Sequence, residues 1–150
     1  MIYVEGDFQA DGALRDVCIL NAELRDWQNV FDHFSASGWS LWFSCELMGL
    51  EGSRLPDAAS LFAALESDPD ESATLAVQVG GIWFTCYFFD AAEIEFTFDP
   101  GDVVNSRTFT RVSTFMKGLG DSTGKRVIMT MEGTSHADMP ALLEYMPGPV

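Results

Sequence analysis

Apolar positions along this chain change their period several times, and each change marks an element. Ile2 and Val4 alternate with polar neighbours over Met1 to Phe8, which predicts a strand. Gln9-Ala10-Asp11-Gly12-Ala13 predicts a turn, and its Asp-Gly pair is hairpin chemistry. Leu14 to Leu20 then returns as a second strand with Val17 and Ile19 on its buried side. Leu24, Trp27, Val30, Phe31 and Phe34 recur at helical spacing and form one apolar stripe. That helix is expected to open at Asn21, whose side chain can satisfy a first-turn amide, and to run to about Ser35 before Gly38 ends it.

Trp39 to Leu47 alternates again. Trp39, Leu41, Phe43 and Cys45 face one way, while Ser40, Trp42, Ser44 and Glu46 face the other, so a tryptophan stands on the polar side. Met48 to Pro56 reads as a loop, and Asp57 caps a short helix to about Leu65. After the acidic turn Glu66 to Ser72, Thr74 to Val79 and Ile82 to Phe89 flank Gly80-Gly81 as a tight hairpin. Glu93 to Phe98 is a period-2 strand with Ile94, Phe96 and Phe98 inward and Glu93, Glu95 and Thr97 outward. A helix over Val103 to Leu119 follows, with Gly120 and Gly124 framing its exit. Arg126 to Met131 is a last strand, and Asp138 to Tyr145 is expected to add a helical turn or two. The succession predicts a single α+β domain over residues 1–150. Its expected core is a mostly antiparallel sheet of about six or seven strands carrying two longer helices and one short one.

Composition adds a constraint that the pattern does not contain. Asp and Glu number 23 against eight Lys and Arg, for a net charge of −15, yet 47% of the chain is hydrophobic. Disordered acidic segments lack large apolar residues, so this chain is expected to fold despite its self-repulsion. Its field excludes phosphate-rich partners and favours basic ones. The charge is uneven: residues 1–75 hold 14 acids and three bases, and residues 76–150 hold nine and five. No apolar run approaches the length of a membrane span, and Met1 to Asp7 has neither the basic nor the apolar segment of a secretory signal. Cys18, Cys45 and Cys86 are widely spaced within apolar stretches and read as buried reduced thiols, which implies a cytoplasmic location.

Candidate chemistry is sparse. Glu93 and Glu95, with Asp90 and Asp99 nearby, form the densest carboxylate group, and residues i and i+2 share a sheet face. Neighbouring carboxylates suit a divalent metal or a general acid, but no third ligand stands at coordinating spacing in that stretch. His33 is expected near the surface of the first helix. His136 lies in a loop beside Ser135 and Asp138, and adjacency in sequence is not the convergence a catalytic triad needs. Gly118 to Gly124 closes a helix instead of opening one, the wrong polarity for a phosphate loop. No catalytic residue, metal or cofactor is therefore expected.

The succession of elements resembles that of immunity proteins of bacterial toxin systems, the antidotes of contact-dependent, Rhs and type VI-secreted effectors. The local resemblance lies in Gly12-Ala13-Leu14-Arg15-Asp16-Val17, Asp26-Trp27, Val79-Gly80-Gly81-Ile82 and Glu93-Ile94-Glu95-Phe96 closing on Asp99-Pro100. It implies a non-catalytic protein that binds a cognate toxin domain and occludes its active site. The acidity suits a basic toxin, with Asp7, Asp11, Asp16, Asp26, Trp42, Glu46, Glu93 and Glu95 as the expected contact residues. Two alternatives stand beside it: an acidic mimic of DNA that occupies a nucleic-acid channel, and a small metal-dependent enzyme built on Glu93 and Glu95.

Overall fold

The computed structural model describes residues 1–149. Eight strands form one antiparallel sheet: β1 (Arg15–Ile19), β2 (Ser40–Cys45), β3 (Leu50–Gly52), β4 (Ala73–Val79), β5 (Ile82–Cys86), β6 (Ile94–Phe98), β7 (Val127–Met131) and β8 (Leu143–Tyr145). Their spatial order is β3-β2-β4-β5-β6-β1-β7-β8. Three helices, α1 (Leu24–Ser37), α2 (Ala58–Ser67) and α3 (Ser106–Thr123), complete an α+β fold. The expected fold class stands, with eight strands in place of six or seven.

Period-2 alternation decides which face of the sheet the helices cover. Val77, Phe84 and Phe96 turn inward with Phe34 and Phe115 from α1 and α3, and the Phe84 and Phe115 rings stack with centroids 4.0 Å apart. Burying aromatic side chains of this size dominates the stability of such a core. Among the described residues the opposite sheet face carries no α-helix. Only the chain from Glu132 to Leu142, with a short 3-10 turn at His136–Asp138, crosses near β1 and β7. All five residues of β1 are consequently buried, on both faces, because β1 lies between β6 and β7 and beneath that segment.

Several expectations are corrected. Met1 to Phe8 is not a strand, and the Asp11-Gly12 turn makes no hairpin; residues Glu5–Phe8 form a 3-10 turn. The cause is Arg15, which is buried and must place five N–H donors. The chain from Asp7 to Leu14 wraps it, with the carbonyls of Asp7, Gln9, Ala13 and Leu14 and the Asp11 carboxylate accepting. Helix α1 opens at Glu23, not Asn21, because the Asp26 carboxylate takes the Glu23 N–H at 2.8 Å. Asn21 adopts a left-handed φ of 56° and lends its carbonyl to Lys125. The expected loop from Met48 to Pro56 contains edge strand β3, and the expected terminal helix contains edge strand β8. Gly120 lies inside α3, where it gives room to the Tyr145 ring; a Cβ there would stand 2.6 Å from it.

Candidate functional site

On the face without helices, the register of three strands assembles a cluster that no single stretch of sequence contains. Asp16 and Cys18 project from β1, opposite Thr97 and Glu95 of β6, and Glu93 adjoins the start of β6. His136 enters from above, on the 3-10 turn of the covering segment, and is 2% exposed; Asp16 is 0% exposed. The imidazole sits between carboxylates. Its Nε2 lies 2.8 Å from Asp16 Oδ2 and 3.6 Å from Glu95 Oε1, and its Nδ1 abuts Glu93 Oε1. The Gly133 N–H donates to the same Asp16 oxygen at 3.0 Å. Asp16 Oδ1, Glu93 Oε1 and His136 Nδ1 make no hydrogen bond, so donor atoms converge here without being satisfied by one another.

The electrostatics follow from this crowding. Burial, reinforced by the Asp16 charge, pushes the Glu95 carboxyl up to about 7. Burial opposes the charged form of His136, but the Asp16 hydrogen bond and the charges of Glu93 and Glu95 outweigh it and hold the ring above its ordinary value. Burial, with Glu93 and Asp16 adding to it, drives the Cys18 thiol far upward, which keeps it protonated. Among the described residues, no Lys or Arg pairs with Asp16, Glu93 or Glu95; the bridging cations go to Asp11, Glu23, Asp26 and Glu144. Three carboxylates thus share one histidine.

Beside the cluster a cleft of about 550 Å³ is lined by Leu14, Tyr87, Phe89, Glu93, Glu95 and Glu132. Aromatic residues continue outward along the same face: Trp42 is 46% exposed, Trp83 44%, Tyr87 43% and Phe89 80%. The Tyr87 and Phe89 rings stack on each other at 5.7 Å. Between them Phe88 turns into the core against Trp27, Phe31 and Phe43, and does so with a φ of 56°, a strained conformation for a bulky side chain.

Of the residues expected to contact a partner, the structure brings Asp16, Glu93 and Glu95 together and scatters the rest. Trp42 and Glu46 are exposed, on β2 and in the turn after it. Asp7 and Asp11 belong to the wrapping around Arg15. Asp26, in the first turn of α1, is 2% exposed and bonded to Lys125 Nζ at 2.6 Å. Asp16 and Asp26 therefore present no carboxylate to a partner, because a charge on a strand or helix face turned inward must pair within the protein. His33 is half-buried, edge-on to Trp39 at 5.3 Å, in place of its expected surface position.

His136 and Cys18 were not legible as members of a site. One signal pointed to Cys18: after Arg15 and Asp16, β1 continues as Val17-Cys18-Ile19, apolar on both alternating faces, which marks a strand buried on both sides and leaves Asp16 needing an internal partner. No protein-family model, curated protein or solved structure matches the chain. No helix among the described residues is long and apolar enough to cross a membrane.

Proposed function

We propose that this chain is a non-catalytic binding protein of the immunity class, which neutralises a basic toxin domain by seating it on the sheet face that the helices leave uncovered. One observation carries the reading: Trp42, Trp83, Tyr87 and Phe89 stand exposed on that face beside the acids Asp90, Glu93, Glu95 and Glu132. Large aromatics left in water on a chain with a well-filled core are the residue types that anchor protein interfaces. A net charge of −15 supplies the complementary field for a basic partner. Charges steer the approach only within about 8 Å of the interface at physiological ionic strength. The aromatic anchors then govern dissociation.

The test begins with proteins captured from the native host at low salt and washed at rising salt, and continues with the isolated candidate. The expected partner is a basic domain that arrests growth when expressed alone and is silenced when this chain is co-expressed. Phe89→Ala and Trp83→Ala should each weaken its binding by about thirtyfold or more, the scale of an interface anchor. Asp90→Asn and Glu132→Gln, which line the cleft beside Phe89, should chiefly slow association. A partner whose binding ignores both aromatic substitutions overturns the siting. Basic proteins that all elute together at modest salt, none of them toxic, overturn the function.

A further inference from the structure

We propose that Cys18, Glu93 and His136 form a binding site for a zinc-class divalent cation, with Asp16 as the carboxylate that orients the histidine. Each of the three residues brings one donor atom to within 4.8 Å of the other two, close enough for a single ion to reach all of them. The set comprises one sulfur, one nitrogen and one oxygen. A thiolate selects against magnesium and calcium, and the small number of protein ligands is that of a zinc site which keeps one position open.

The second observation is independent of the acidity. His136 and Asp16 are both more than nine-tenths buried, and each keeps a polar atom, Nδ1 and Oδ1, without a hydrogen bond. Nδ1 abuts the Glu93 carboxylate and yet makes no hydrogen bond with it, so a neutral ring with its proton on Nε2 would set two lone pairs against one another in the interior. That arrangement is costly for a polar pair, and a cation that draws the two atoms apart to its own ligand spacing would relieve it. On the other edge of the ring, Nε2 has Asp16 Oδ2 at 2.8 Å, and the Gly133 N–H holds the same oxygen. With its Nε2 proton held by that carboxylate, the ring presents the Nδ1 lone pair to a metal, the second-sphere arrangement common at zinc histidines.

Among the described residues no arginine or lysine offsets Glu93, Glu95 and Asp16, which share one histidine, so a dication would add positive charge where it is short. On binding, the Cys18 thiol releases its proton to solvent and the thiolate takes the ion. The ion would join β1 and β6 to the segment that carries His136, next to the cleft that Glu93 and Glu95 line. This assignment stands apart from the proposed docking function: the metal can bind whether or not a toxin does.

The experiment titrates the metal-free full chain with zinc chloride and, separately, with cobalt(II) chloride. Expected are one equivalent of zinc bound, a rise in melting temperature that magnesium chloride does not produce, and a thiolate-to-cobalt charge-transfer band in the near ultraviolet. Cys18→Ser should abolish that band, and Glu93→Gln and His136→Asn should lose the zinc-dependent rise. Asp16→Asn should weaken zinc binding by roughly 10–100-fold while leaving the band in place at saturation, as outer-sphere carboxylates do. Should a variant fail to fold, the band in the unmodified chain still decides. A one-to-one cobalt complex without the band overturns the assignment, as does a chain that takes up no zinc. Binding insensitive to Cys18→Ser but lost in Glu95→Gln would also overturn it, since the ion would then sit on the Nε2 side of the ring.

Discussion

Glu95 shows how much a single residue's surroundings decide. Raised to about 7 in the fold, it binds a proton that the unfolded chain has already released above its ordinary value. The folded state then holds more protons than the unfolded state between those values, so stability falls as pH rises through that window. Glu95→Gln removes that part of the dependence and leaves the part due to His136, whose ring is also held above its ordinary value. In chelator-treated protein the variant should match the parent near pH 5 and exceed it by about 1–3 kcal/mol at pH 8, read from urea unfolding. Gly118 gives a steric counterpart. A Cβ there would stand 2.4 Å from His33 Nε2, a buried atom with no hydrogen-bond partner. Burial already holds the His33 ring below its ordinary value. Gly118→Ala should therefore destabilise the protein by about 1–3 kcal/mol, despite the better helix propensity of alanine, because the ring must be displaced from its packing on Trp39.

At the scale of elements, the termini of the helices are where local chemistry and tertiary contacts meet. Asn105 opens α3 by accepting the Thr108 N–H at 3.0 Å, while Thr108 Oγ1 receives the Asn105 N–H at 3.1 Å. Asn105→Ala should cost about 1 kcal/mol in chemical denaturation, the usual loss for an N-cap. The start of α1 is more exposed to tertiary change. Asp26 receives the Glu23 N–H and is buried against Lys125, 99 residues away in sequence. Lys125→Met leaves that carboxylate uncompensated and should cost about 3 kcal/mol. The paired variant Asp26→Asn, Lys125→Met should recover part of the loss, and a double-mutant cycle measures the coupling.

Across the whole molecule, charge and burial pull in opposite directions. A surplus of 15 negative charges repels itself in the folded state, and the repulsion is screened by salt. In chelator, raising sodium chloride from about 20 mM to about 500 mM should lift the melting temperature by about 2–4 °C, the shift expected for roughly 1 kcal/mol in a chain of this size. A melting temperature that falls instead would mean that ion pairs such as Arg126–Glu144 outweigh the repulsion. The uncovered sheet face concentrates the conflict, since aromatic surface and unpaired acids lie there together. A ligand or partner that neutralises the acids relieves both.

The sequence by itself determined the α+β class and most of its elements. α1 and α2, the Gly80-Gly81 hairpin, β6, α3 and β7 are all written in local periodicity, because a helix or strand that buries one face must repeat its apolar residues at its own pitch. The short edge strands β3 and β8 were not legible, since three residues carry too little pattern. The start of the chain misled because its conformation answers to Arg15, which β6 and β7 flank and whose donors the preceding residues must satisfy. Two of the five residues of the site were visible as neighbours: Glu93 and Glu95 share a strand face, and period-2 geometry fixes that from sequence. Asp16, Cys18 and His136 join them only through the antiparallel register of β1 with β6 and through a segment folded back over 120 residues from Asp16. Periodicity reports which side of an element is buried. Which charges meet there is decided by strand order and register, and those are properties of the tertiary fold.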